Sequence, residues 1–89
     1  MKHTRTFLVK GEHGLHARSV AELVQVAMAF QADIVFSGNG VSANAKSILS
    51  LLLLGAVKGT ELTATADGTD GSDALLAIGQ TSCLSGLTP

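Results

Sequence analysis

Residues Ser37–Gly40 read SGNG, and they sit between two short β-prone runs, Asp33–Phe36 and Val41–Ala43. Asn-Gly supplies the positive φ angles of a tight two-residue hairpin, so these runs are expected to be antiparallel neighbours. That pairing constrains the fold, because helical patterns lie on both sides of it. From Ala17 to Phe30, Val20, Leu23, Val24, Ala27 and Phe30 recur at three- and four-residue steps and make one apolar face. After the hairpin, Ser47 precedes a short helix, Ile48–Leu54, with Gly55 suited to end it in a left-handed conformation.

The remaining segments complete the pattern. Thr4–Val9 is β-branched and aromatic and reads as a first strand. Within VKGTELTATADG, Leu62, Ala64 and Ala66 alternate with Glu61, Thr63 and Thr65 as the two faces of a fourth strand. Asp70 or Ser72 is placed to start a third helix that reaches about Ile78 or Gln80, and the tail SCLSGLTP reads as frayed. The order is βαββαβα. It predicts an α+β open-faced sandwich, with a four-stranded antiparallel sheet and three helices on one face.

With 89 residues the chain has room for one domain, 1–89. It is 46% apolar and 15% charged, which is globular rather than disordered. The net charge of -1, with three Phe and no Trp or Tyr, argues against a nucleic-acid binder that needs a basic field or stacking platforms. The single cysteine, Cys83, excludes an intrachain disulfide and a Cys-rich zinc site. The first residues carry no sustained apolar core of a signal peptide. The apolar stretch Ile48–Val57, broken by Ser50 and Gly55, is far shorter than the ~20 residues a bilayer span needs. A cytoplasmic monomer without membrane insertion is expected.

Two stretches carry chemistry. In GEHGLHARSV, residues 11–20, His16 stands where the helical pattern begins. A neutral imidazole there is a nucleophile beside the free N–H groups of a helix start, which favour an anion. Arg18 can make charge-assisted bonds to phosphate oxygens, and Gly14 lets the backbone bend sharply or come close. The residues alone leave two other readings open. His16 can be an ordinary exposed cap, or His13 and His16, with His3, can contribute to a metal site. In NAKSILSLLLLG, residues 44–55, Ser47 suits an N-cap, and an added phosphate would be tolerated there by the dipole. Leu51, Leu54 and Leu52 are candidates for the core face. The run cannot all point inward, so some of Ile48, Leu49, Leu52 and Leu53 must face solvent, as in a protein-binding surface.

GLHAR at 14–18, NAKSILSLLLLG at 44–55 and KGTELTATADG at 58–68 together resemble the histidine-containing phosphocarrier (HPr) family of the sugar phosphotransferase system. The resemblance runs from about Thr4 to Ile78. It implies that His16 is the histidine phosphorylated on Nδ1 by enzyme I, at the expense of phosphoenolpyruvate, and that the group then passes to an enzyme IIA. It implies that Arg18 assists, and that Ser47 is a regulatory site for an HPr kinase/phosphorylase, through which a transcriptional regulator can be engaged. Ile48 and Leu49 match the docking surface, which Ala17, Ala21, Met28 and Val24 would extend from the first helix, unless Val24 faces the core instead. The implied protein is a phosphoryl carrier rather than a free-standing enzyme, with no cofactor and no metal. The rival is a regulatory binding module acting through the Ser47, Ile48 and Leu49 face.

The chain departs from the family pattern at Ser19, where proline is usual. Serine removes that rigidity but can bond locally, so a modest change in loop stiffness with the site retained is expected. Gln25, Met28 and Ser50 stand where many relatives carry lysines, so docking is expected to rely more on apolar contact than on steering. His13 reads as a bystander.

Overall fold

In a computed structural model, which describes residues 1–86, the elements are β1 (Lys2–Val9), α1 (Ala17–Met28), β2 (Asp33–Gly38), β3 (Val41–Asn44), α2 (Ile48–Leu54), β4 (Glu61–Asp67), α3 (Gly71–Gly79) and β5 (Leu84–Gly86). The sheet is antiparallel with strand order β3-β2-β4-β1-β5. The hairpin forms as the sequence predicts. Gly38 pairs with Val41, and Asn39 and Gly40 both take positive φ, 54° and 74°.

Strand alternation sets the layers. Phe7 and Val9 of β1, Ile34 and Phe36 of β2, Ala43 of β3, and Leu62, Ala64 and Ala66 of β4 are buried on one face. Register aligns them, with Phe7 opposite Leu62 and Phe36 opposite both Ala64 and Ala43. The helices cover that face with Val20, Leu23 and Ala27 of α1, Leu51 and Leu54 of α2, and Ala74, Leu75 and Ile78 of α3. Each large side chain buried this way is worth roughly 1.5–3 kcal/mol. The opposite face, with Thr63 and Thr65 half-buried and Val35 and Ser37 exposed, stays open. This is the open-faced sandwich.

Three details differ from the sequence reading. The sheet has a fifth strand, because Leu84–Gly86 pairs with Val9–Phe7. The tail is therefore ordered as far as Gly86, anchored by buried Thr81, Cys83 and Leu84; positions 87–89 lie outside the described residues. No hydrophobic period could show in so short a strand. Second, Leu52 is exposed rather than in the core. Third, Asp70 is the N-cap residue of α3, but its carboxylate does not cap that helix. It accepts the N–H groups of Gln31 at 2.8 Å and Ala32 at 2.9 Å, and so straps the α1–β2 turn to α3. The Gln31 N–H, against an opposing cost of desolvation and with help from Ala32 and Lys46, holds this carboxyl below its ordinary range. Lys46 straps the same turn from the other side, donating from Nζ to Phe30 O at 2.8 Å.

Candidate functional site

The loop before α1 is fixed by its backbone. Gly14 N–H donates to Gly11 O, closing a turn, and Leu15 N–H donates to Ala56 O, both at 2.9 Å. Leu15 is buried and anchors the loop in the core. Gly14 has φ +66°, and a Cβ there would collide with Ala56 O and come within 2.8 Å of Val57 Cα. The glycine thus serves the packing of the loop onto the α2–β4 connection.

His16 is the N-cap of α1, with extended backbone at φ -126° and ψ 178°. Its ring is exposed. Ser19, at the third helical position, accepts the His16 N–H on Oγ at 3.0 Å and donates the same hydroxyl to His16 O at 3.1 Å. Ser19 therefore stands as the third helical residue of a capping box and is itself buried. Its two local bonds hold the cap backbone of His16. The first turn holds Ala17, Arg18 and Ser19 and no acidic residue, so nothing in it competes with an anion for the helix dipole.

His16 and Arg18 open onto one cleft of about 570 Å³, which Gly14 and Ser19 also line. The far wall was not legible in the sequence. Glu22 and Gln25 come from the next turns of α1, while Ser82 and Cys83 arrive because β5 returns alongside β1. Ser82 Oγ donates to Glu22 Oε1 at 3.3 Å, which joins the two walls. Burial pushes the Cys83 thiol up, which keeps it protonated and unreactive at neutral pH. Among the described residues, no three His, Cys, Asp or Glu side chains gather as a metal-binding group.

Ser47 is the N-cap of α2, and its Oγ accepts from Ser50 N at 3.2 Å. Gly55 ends the helix with φ 65°. On the outside of α2, Ile48, Leu49, Leu52 and Leu53 are all exposed, Leu49 to 67% and Leu53 to 73%. Ala17, Ala21 and Met28 are exposed on α1, whereas Val24 is only partly exposed and packs against the core. Helices α1 and α2 are packed together. No helix among the described residues is long and apolar enough to cross a membrane.

The chain matches the family described as "PTS HPr component phosphorylation site" over residues 3–82. It is 46% identical to phosphocarrier protein HPr of Vibrio cholerae over 67 residues, which are 75% of this chain and 79% of that one. Solved structures agree. The HPr of Bacillus anthracis superposes with a TM-score of 0.82 at 36% identity, covering 86% of this chain and 92% of the other. The Bacillus subtilis catabolite-repression protein Crh, solved as a swapped dimer, gives 0.69 at 40% identity over 79% and 80% of the two chains. The chain is a member of the HPr family of phosphotransferase-system phosphocarriers.

Proposed function

We propose that His16 receives a phosphoryl group from phosphoenolpyruvate-charged enzyme I and passes it to enzyme IIA proteins, in sugar uptake or a regulatory phosphorelay. The observation that carries this reading is the division of labour at the start of α1. Ser19 bonds the N-cap backbone, and the His16 ring is exposed. The neutral imidazole attacks phosphorus through a ring nitrogen. A new P–N bond forms as the donor's bond to phosphorus breaks, and the second transfer reverses these roles. Helix-start N–H groups and Arg18 meet the phosphoryl oxygens. The reaction needs no cofactor or metal from this chain, which acts as a cytoplasmic, monomeric carrier.

Docking in this reading uses the apolar strip of Ala17, Ala21 and Met28 on α1 with Ile48 and Leu49 on α2. The exposure of all five supports it, and Leu52 and Leu53 widen the strip. Incubation with enzyme I and labelled phosphoenolpyruvate tests the proposal. The native chain should take up one label, and His16→Ala none. Label retained by His16→Ala, or absent from the native chain, refutes it.

A second reading is favoured by the likeness to Crh, a catabolite-repression protein. Here Ser47 is phosphorylated by an HPr kinase/phosphorylase, and the Ser47, Ile48 and Leu49 face binds a transcriptional regulator. Its support is a helix-capping hydroxyl, where the dipole favours added negative charge. Under this reading Ser47→Asp alters regulator binding and His16→Ala does not.

A further inference from the structure

His13 has no part in the mechanism above, yet its ring lies against the reacting one. The ring centroids of His13 and His16 are 6.0 Å apart and the planes meet at 77°, an edge-to-face contact. The backbone on either side of His13 is fixed, by the Gly11–Gly14 turn and by the bond from Leu15 to Ala56. The charged groups on the surrounding elements are Lys10 and Glu12 in the loop, Arg18 and Glu22 on α1, and Lys58 on the α2–β4 connection. The two carboxylates have partners of their own. Glu12 accepts from Lys58 Nζ, and Glu22 accepts from Ser82 Oγ, each at 3.3 Å.

We propose that His13 is a positioning residue for the phosphoryl group on His16, orienting the ring by its edge contact and, as imidazolium, holding the charge that phosphorylation brings. This rests on His16 as the acceptor. Phosphorylation turns a neutral ring into a group of nearly two negative charges. Across ~6 Å of water, two such charges favour a neighbouring imidazolium about tenfold, or about threefold with physiological salt. The linkage is reciprocal: the proton on His13 favours the phosphoryl group on His16 by the same factor. The contribution of His13 is therefore present where its ring is protonated and absent in alkaline solution, against the general acid lability of the P–N bond.

The test avoids enzyme I. Phosphoramidate loads histidine directly, since its P–N bond breaks, ammonia leaves and a P–N bond to His16 forms. Imidazole proton resonances are titrated in the native chain before and after loading. The His13 midpoint should rise by about half a pH unit on loading. The midpoint of His3, on β1, should not move and serves as the internal control. In His13→Gln, loss of phosphoryl from His16 should be faster than in the native chain at pH 6, by up to about threefold if the imidazolium's hold is lost in the transition state, and equal to it at pH 8.5. A His13 midpoint that moves no more than that of His3, equal lifetimes at both pH values, or no loading of His16 overturns the proposal. Failure of enzyme I to label the chain would refute the carrier reading and leave these measurements to decide the role of His13.

Discussion

His16 and Ser47 occupy the same position on two helices and are used differently. Each is an N-cap with extended backbone, at φ -126° and -120°. Ser47 spends its own side chain on its helix, accepting from Ser50 N. His16 does not make such a bond; Ser19, three residues on, bonds the cap backbone instead. A cap that holds its own helix is structural first, and any charge added to it acts on that helix. A cap relieved of that work presents a ring that can change partners. Two hydrogen bonds from Ser19 do that work here.

The loop that carries His16 offers the largest effect. Gly14→Ala places a side chain at φ +66° against the Ala56 and Val57 backbone. It should cost about 2–4 kcal/mol, read as a lower midpoint in urea unfolding. A cost below ~0.5 kcal/mol would show that the loop is not pinned as described. Next, Ser47→Ala should destabilise by about 1 kcal/mol and leave labelling of His16 intact, since only the α2 cap is lost. If labelling fell as well, the two caps would not be separable.

Ser19→Ala should reverse that pattern. Its stability cost is also about 1 kcal/mol or less, from two local bonds, but it should slow phosphoryl acceptance because the cap geometry around His16 loosens. Stopped-flow transfer from labelled enzyme I measures the rate. Ser19→Pro should recover it. Equal rates in all three chains would assign Ser19 to packing alone.

The smallest effect concerns the strap behind both helices. The Asp70 carboxyl is held below its ordinary range by Gln31 N–H and Ala32 N–H. Its contribution to stability is therefore complete above the unfolded carboxylate range, near about pH 4, and is lost as pH falls through the folded value. Asp70→Asn should flatten the fall in stability below pH 4 and change neither His16 labelling nor the Ser47 cap. A native-like acid profile in that variant would remove the strap from the account.

These contrasts also mark what sequence can carry. The hairpin, the α1 stripe and the alternation of Leu62, Ala64 and Ala66 were legible because each repeats a local period. The α2 cap and its Gly55 stop were legible because both are set within one helix. Strand β5 was not, because three residues hold no period and their partners in β1 lie far away in the chain, Leu84 opposite Val9 and Gly86 opposite Phe7. With β5 went the far wall of the His16 cleft, Ser82 and Cys83. Asp70 was legible as a helix start but not as the acceptor for Gln31 and Ala32, a partnership between segments distant in sequence. The contact between the His13 and His16 rings was hidden for a related reason. Spacing places both in one loop, but only the Gly14 conformation decides that their rings meet.

In the proposed carrier reaction the ring at the start of α1, and not the hydroxyl at the start of α2, takes the phosphoryl group. Site mapping after loading by enzyme I and phosphoenolpyruvate decides it, with peptide mass spectrometry run at alkaline pH to preserve phosphohistidine. One phosphoryl group per chain is expected, on His16, and it is lost on acid treatment. A phosphoryl group found on Ser47 or on His13 with His16 unmodified would contradict it.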